Sequence, residues 1–412
     1  MVLVAVSGSP ASELSPSCIT DPARQRPSAI RRSCIVHAMS RIVIAMSGGV
    51  DSSVAAALLV EAGHECIGVF MRHGQPVLPM AAGQLPVVDA PAARPGHQGC
   101  CSVSDAVDAR RVADRLGIPL YPLDLTDDFK QIIDSFASDY AAGRTPNPCV
   151  RCNQWIKFGR LFDHANAVGA SHVATGHYAR LLRPATRASD GPELHRGQDT
   201  SRDQSYVLFG IGPDRLQRML LPVGSLAKHE VRQRAESLGL ITAAKPDSQE
   251  ICFVPPGEHP RLVAHRISGS RAGQIVDEAG RVLGEHPGIE HFTIGQRQGL
   301  GIAIGSPLYV LRIEPEDCRI VVGPREALPL NSLVATEASW IAQVPDGPFE
   351  CFVQCRAQRP AARAIVTRQG PTRFTARFLE PTINAPGPIT PGQPAVCYDG
   401  TRLLGGGWIS RE

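Results

Sequence analysis

The string Ser47-Gly48-Gly49-Val50-Asp51-Ser52-Ser53 follows immediately on the apolar run Arg41-Ile42-Val43-Ile44-Ala45-Met46. An apolar run closed by glycines is the pattern of a strand buried on both faces of a parallel sheet. Residues 51–62 then read as a helix, with Gly63 in the position of a C-terminal stop. A second strand at 66–71 completes a β-α-β unit. The glycines let an anion approach the backbone closely, and the helix start offers unpaired N–H groups and a favourable dipole. The plainer alternative is a tight turn in which Ser52 only caps the helix. The lysine of a G-x-x-x-x-G-K-[ST] loop is missing, which disfavours γ-phosphate transfer of the common kind.

The alternation continues to about residue 255. Ser102-Val103-Ser104-Asp105 reads as a capping box opening a helix that ends before Gly117. Residues 120–123 read as a strand, 129–142 and 155–167 as helices, and 172–175 as a further strand. This predicts an α/β fold with a doubly wound parallel sheet. Residues 74–98, rich in Pro, Ala and Gly, read as a mobile surface loop. Beyond 256 the texture changes. Gln274-Ile275-Val276 and Arg281-Val282-Leu283 flank the turn Asp277-Glu278-Ala279-Gly280, and a second hairpin joins 308–311 to 319–322. Short strands alternate with Pro/Gly turns from 339 to 408, so two small β-barrels are expected after the α/β domain. The expected division is an extension at 1–38, an α/β domain at 39–255, and barrels at 256–325 and 326–412.

A chain of 412 residues accommodates two or three domains. Its net charge of +3 is too small to argue for nucleic acid by itself. No apolar run is long enough to span a bilayer, so no membrane association is expected. Residues 1–38 are basic and Ser-rich, yet Pro10, Pro16, Pro22 and Pro27 would break an amphipathic targeting helix. They read as a disordered extension, or as residues ahead of a true start at Met39. Twelve cysteines in so long a chain do not make a disulfide scaffold.

Two of those cysteines sit in Gly143-Arg144-Thr145-Pro146-Asn147-Pro148-Cys149-Val150-Arg151-Cys152-Asn153, and a third in Asp247-Ser248-Gln249-Glu250-Ile251-Cys252-Phe253. A lone C-x-x-C is weak, since redox pairs, metal ligands and chance all produce it. Separated cysteines that meet in a fold can do something else: one carries a persulfide and another attacks it. The thiolate is the reactive form, so Arg151, Lys157 or a helix N-terminus would have to lower its pKa.

SGGxDS is the signature of ATP pyrophosphatases, the PP-loop superfamily. Together with GRTPNPCVRCNQWIKFG, ATGHYAR, RDQSYVLF, DSQEICF and FTIGQRQGLGI, the chain resembles the tRNA-specific 2-thiouridylases, in matching order along nearly all of 40–412. The resemblance implies an adenine nucleotide alpha-hydrolase-like sheet and 2-thiolation of the wobble uridine of tRNAs for lysine, glutamate and glutamine. It implies ATP with Mg²⁺, a cysteine desulfurase or sulfur-relay protein as donor, and a cytoplasmic, reducing setting. Carried over by motif, Ala45, Met46, Ser47, Gly48, Gly49, Val50, Asp51 and Ser52 would bind ATP phosphates, with Met71 and Gly176 on the adenine side. Asp51 would help hold Mg²⁺ with pyrophosphate. Cys252 would carry the persulfide and Cys152 would be the nucleophile, the pair closing as a disulfide after transfer. Asn147, Pro148, Cys149, His177, Arg202, Asp203, Gln204, Arg356 and Gln393 would meet the tRNA.

Two departures matter. Many members carry Asp where this chain has Cys149, so Cys149 would assist only as a thiol of lowered pKa; alternatively Cys149, Cys152 and Cys252 would ligate an iron–sulfur cluster. The usual Arg-Tyr pair is Arg356-Ala357, which removes an aromatic from that point. Arg356, Arg359, Arg363, Arg368, Arg373 and Arg377 would track phosphates on the barrel, or simply form a solvated face. Cys318, Cys351, Cys355 and Cys397 read as small core residues in strands, adjacent Cys100 and Cys101 as structural, and His286 and His291 as polar contacts. The rivals are a PP-loop ligase of the argininosuccinate or GMP synthetase type, with no use for the cysteines, and a tRNA binder without chemistry.

Overall fold

The computed structural model describes residues 39–72, 102–183, 191–247, 251–254, 257–267, 272–302 and 305–411. The expected extension at 1–38, the loop at 74–98, and Cys100 and Cys101 lie outside the described residues. The first part of the chain runs β1 (Arg41–Ala45), α1 (Val50–Glu61), β2 (Glu65–Arg72), α2 (Val103–Leu116), β3 (Leu120–Asp124), α3 (Thr126–Ala141) and α4 (Pro148–Arg151). A π-helical stretch, Cys152–Arg160, leads into α5 (Leu161–Ala167). Then come β4 (His172–Ala174), β5 (Ala179–Leu182), β6 (Glu193–Arg196), α6 (Pro213–Gln217), β7 (Met219–Leu220), α7 (Lys228–Ser237) and α8 (His259–Arg266).

Strands β3-β2-β1-β4-β7 form one sheet, and every pairing in it is parallel. All of β1 except Arg41 is buried, as its unbroken apolar run requires. Helix α1 is nearly apolar all round and is buried on most of its surface, with α7 and α2 packed against it. Helix α2 opens on the expected capping box: Ser102 accepts from the Asp105 amide at 3.1 Å, and the Asp105 carboxylate accepts from the Ser102 amide at 3.0 Å. The order reverses at β1, so the loops after β1 and β4 lie side by side at the strand C-termini, where open α/β sheets bind ligands.

The helix expected at 155–167 departs from the sequence reading. Its first part is π-helical and starts at Cys152. The wider turn puts buried Asn153 and Phe158, five residues apart, on one face, with Asn153 Nδ2 donating to the Val207 carbonyl at 3.1 Å. An α-helical period would rotate one of them off that face.

The remainder is β structure. Strands β8 (Gly273–Val276), β9 (Val282–His286), β10 (Tyr309–Glu314) and β11 (Arg319–Gly323) form a sheet in the order β10-β11-β8-β9. Cys318, expected in a strand core, instead sits in the turn before β11, half-buried at φ 51°. The β10–β11 connection needs a left-handed residue there. Strands β12 (Ser332–Trp340), β13 (Phe349–Gln354), β14 (Ala362–Arg368), β15 (Phe374–Phe378), β16 (Pro394–Asp399) and β17 (Arg402–Ile409) run β12-β15-β14-β13-β16-β17, and β12–β17 pairing closes the barrel. Cys351, Cys355 and Cys397 fill its core. Burial pushes the Cys355 thiol up to about 12, which makes it unreactive.

The hairpin β5–β6 belongs to the α/β part of the chain yet joins the barrel sheet beside β17. Tyr206, Phe209 and Trp408 share one core with Val43 and Val173, so the barrel is welded to the α/β unit. Burying each such side chain stabilises by roughly 1.5–3 kcal/mol. The barrel therefore holds a fixed place against the α/β unit.

Candidate active site

The loop after β1 folds back on itself. The Ser47 amide donates to Ser52 Oγ at 3.2 Å, while the Ser52 and Ser53 hydroxyls donate to the Gly49 carbonyl at 3.1 and 2.8 Å. Gly48 adopts φ 72° with its Cα against the Asp105 backbone, so only glycine fits. A Cβ on Gly176, in the loop after β4, would lie 2.7 Å from Asp51 C and Ser52 N. These two close approaches hold the start of α1 open beside a cavity of about 240 Å³. Ala45, Ser47, Gly49, Val50, Asp51, Ser52, Met71 and Gly176 line it.

Charge is concentrated around that cavity. Lys228 Nζ lies 2.7 and 2.9 Å from the two Asp51 oxygens and 2.8 Å from Asp247. The Tyr178 hydroxyl donates to Asp51 at 2.7 Å, and burial beside this carboxylate pushes the phenol pKa far up. Asp247 also meets Arg202 at 3.0 Å and Arg232 at 2.9 Å. Burial alone would raise its pKa, but Lys228, Arg202 and Arg232 together hold it below the ordinary carboxylate value. Lys245 Nζ donates to the Gly48 carbonyl at 3.0 Å, to Asp105 at 2.7 Å and to Asp108 at 2.6 Å. Two lysines thus stand by a loop that has none of its own.

A second cavity, of about 1060 Å³, lies between the α/β unit and the barrel. Cys149, Cys152 and Cys252 line it, with Asn153, Arg196, Asp203 and Phe352. Its position follows from the loop at 143–153. Asn147 Oδ1 caps α4 by accepting from the Val150 amide at 3.4 Å, and Pro148 occupies the first helical turn. Gln393 Nε2 donates to the Thr145 and Pro146 carbonyls at 3.0 and 3.2 Å, and Asn147 Nδ2 donates to Gln393 Oε1 at 3.3 Å. Cys149 is exposed, whereas Cys152 and Cys252 are half-buried against the same hydrophobic cluster. Lys157, His177, Arg202 and Gln204 line both cavities. The phosphate-loop site and the thiol-lined cavity therefore share a wall.

Among the described residues, no three Cys, His, Asp or Glu side chains gather closely enough to hold a metal ion. The three thiols line one cavity. Mg²⁺ has a different demand, taking one or two carboxylates plus phosphate oxygens and waters. Asp51 beside the phosphate loop meets that demand.

Residues 40–256 match the family described as tRNA methyl transferase HUP domain, 262–324 its PRC-barrel domain, and 330–409 the aminomethyltransferase beta-barrel domain. The tRNA-specific 2-thiouridylase MnmA of Rhodopirellula baltica is 50% identical over 396 residues, covering 90% of this chain and 96% of that protein. The chain belongs to the tRNA-specific 2-thiouridylase family. The 2-thiouridylases of Geobacter metallireducens and Acidothermus cellulolyticus are each 44% identical over 90% of this chain, and the matches span 97% and 98% of them.

Several residues expected from this 2-thiouridylase resemblance are held inside the protein. Met46 points into the core and Gly48 packs against α2. Arg356 donates to the Ile294 carbonyl at 3.0 Å and to Thr390 at 2.6 Å, and burial lowers its pKa. Asp203 binds Arg196 at 2.8 Å and accepts from the Gly197 and Ser205 amides. Of the barrel arginines, Arg363 pairs with Glu350 and Arg368 with Asp346. Arg151, expected beside the thiols, faces the barrel: it forks onto Glu337 at 2.8 and 2.9 Å and lies 3.9 Å over the Trp408 ring. His286 is buried, contacting the Cys318 carbonyl at 3.0 Å as a polar contact should, and His291 is exposed.

Other groups were missed from sequence. Lys228 and Lys245 lie in a helix start and a loop that carry no motif, and Tyr178 sits inside ATGHYAR without a role read for it; only the fold brings the three to the phosphate loop. Lys157 was legible, five residues beyond Cys152. His177 was expected to face tRNA; it is buried on the shared wall, its Nδ1 2.7 Å from the Thr175 hydroxyl. Burial, then the nearby Lys157 charge, drives its pKa well below the ordinary value, so it stands neutral at pH 7.

Proposed function

We propose that this chain is the ATP-dependent tRNA-uridine 2-sulfurtransferase acting on the wobble base, with ATP in the smaller cavity and the target uridine in the larger. The observation that carries the reading is the shared wall of Lys157, His177, Arg202 and Gln204 between the two. ATP on one side of that wall faces a uridine that shares the other side with the thiols.

The backbone N–H groups at the start of α1 and the Lys228 and Lys245 ammonium groups take the phosphates of ATP. Asp51 would hold Mg²⁺, which when bound would supply positive charge for the pyrophosphate. Uridine O2 attacks the α-phosphorus, pyrophosphate leaves, and the O2-adenylate turns a poor leaving oxygen into AMP. The terminal sulfur of a Cys252 persulfide attacks C2. Cys152 thiolate then attacks the Cys252 Sγ, forming a Cys152–Cys252 disulfide as the other S–S bond breaks. The released electron pair completes the C2 thione as AMP departs. Each turnover therefore consumes one ATP, one persulfide sulfur and two reducing equivalents for the disulfide, which suits a reducing cytoplasm and a cysteine desulfurase or relay protein as donor. Lys157 lines this cavity with the thiols. Cys149, exposed at the start of α4, is the third thiol beside the target base.

The test is incubation with ATP, a persulfide donor and unmodified lysine, glutamate or glutamine tRNA, followed by nucleoside analysis. Thiouridine is expected with stoichiometric pyrophosphate, and none with Cys152→Ser or Cys252→Ser. Full-rate thiolation by either variant would remove the persulfide assignment. Pyrophosphate release that ignores tRNA but follows a small amine or acid would favour a ligase.

A further inference from the structure

One wall of the larger cavity has no role in the scheme above. Phe352 on β13 stands between buried Cys351 and Val353, yet is 42% exposed. Its cross-strand neighbours explain this. On β16 it is in register with Tyr398, which is wholly buried in the core shared with the α/β unit, with Arg196 3.7 Å over its ring. The cover supplied by the α/β unit ends there, and the same outer face of the barrel emerges at Phe352 as an open aromatic ring in the cavity.

Other aromatic side chains lining the cavity, Phe129, Tyr206 and Phe253, are at most 4% exposed. The neighbouring loop contributes Ala357, Gln358, Arg359, Pro360 and Ala361, none of them aromatic. Charge on the cavity lining is predominantly positive. Among the described lining residues the cations are Lys157, Arg196, Arg202 and Arg359, while the carboxylate, Asp203, is held by Arg196. Arg363, directly across from Phe352 on β14, is paired with Glu350 and adds no net charge. An open ring among cations is the chemistry that holds unpaired nucleotides, with stacking for the base and charge for the backbone.

We propose that Phe352 is the stacking platform for the base next to the target uridine, and so fixes the anticodon loop over Cys152 and Cys252. This rests on the sulfur-transfer reading. The platform supplies register: with one neighbour stacked, the target base enters the cavity from a defined direction.

The test uses the full chain and anticodon stem-loops carrying 2-aminopurine on the 5′ or the 3′ side of the target uridine. Loss of one stacked base weakens binding by about 5- to 150-fold, so Phe352→Ala should lose at least fivefold in stem-loop affinity. One of the two probes should be quenched by the natural chain and bright in complex with Phe352→Ala. Phe352→Tyr should restore both signals and Phe352→Leu should not. Melting temperature and ATP affinity serve as controls, because an exposed side chain that does not line the smaller cavity should leave both unchanged. Equal affinity and equal quenching for Phe352→Ala would overturn the platform, as would full rescue by leucine. A natural chain that binds and thiolates no stem-loop at all would overturn the sulfur-transfer reading, and the platform with it; the first pair of outcomes leaves thiolation intact.

Discussion

Replacing Lys228 with glutamine removes the cation that joins Asp51 on the phosphate loop to Asp247 on the segment leading to Cys252. The Lys228 side chain is 12% exposed, with that of Asp51 at 31% and that of Asp247 at 15%. Breaking a fully buried pair costs about 3–5 kcal/mol. Here Asp51 opens onto the cavity, and Asp247 keeps Arg202 and Arg232. About 2 kcal/mol is the appropriate discount, or about 4–8 °C in melting temperature for a unit of this size. With ATP the same lysine supplies a charge-assisted contact to phosphate, whose loss weakens ATP binding roughly tenfold to a hundredfold. Differential scanning fluorimetry with and without Mg·ATP reads both effects together: the variant should melt lower and gain less from nucleotide. Lys228→Arg should recover the melting temperature better than the ATP affinity, since the fork does not match a point-charge site. If Lys228→Gln melts with the natural chain and titrates with ATP at the same midpoint, the bridge has no energetic role and the argument fails.

Gly176→Ala forces a Cβ to 2.7 Å from the Asp51 and Ser52 backbone, so ATP-dependent pyrophosphate release should drop at least tenfold with little change in tRNA affinity. Arg151→Ala removes a two-pronged bond to Glu337 and the Trp408 stacking; it should lower the melting temperature by several degrees and slow thiolation by loosening the Cys149–Cys152 loop, whereas Arg151→Lys should recover only part. Burial lowers the pKa of His64, His172, His177, His259 and His286. The unfolded chain therefore binds more protons than the folded one below about pH 6.5, and stability rises with pH in that window. Melting temperature should fall as pH drops from 7 toward 5; a flat profile would show that these imidazoles are protonated in the fold. Asp247, held low in the fold, adds stability that is present above the unfolded carboxylate pKa of about 3.9 and is lost as pH falls through its folded value.

Much of the site was legible because its chemistry is local. A strand, two glycines and a helix start need only consecutive residues, so Ser47 to Ser52 declare a phosphate cradle before any fold is known. The capping box at Ser102 and Asp105 is equally local, and both partners form it. The π-helical start at Cys152 was not legible, since an α and a π turn share the same apolar residues and only the packing of Asn153 under Val207 separates them. Arg356 and Gln393 show the converse limit. A motif marks them as important but cannot say whether they face a ligand or brace a loop, and here they bond to Thr390, Ile294, Thr145 and Pro146.

By itself the sequence determined the parallel sheet, the phosphate loop and the three cysteines, because periodicity, glycine positions and thiols are properties of neighbouring residues. Tertiary structure decided which distant groups meet. The β5–β6 hairpin joins the barrel, Lys228 bridges residues 51 and 247, and Phe352 emerges where the cover over Tyr398 ends. Each depends on packing between segments far apart in the chain, where the spatial approach of two side chains leaves no periodic trace in the sequence.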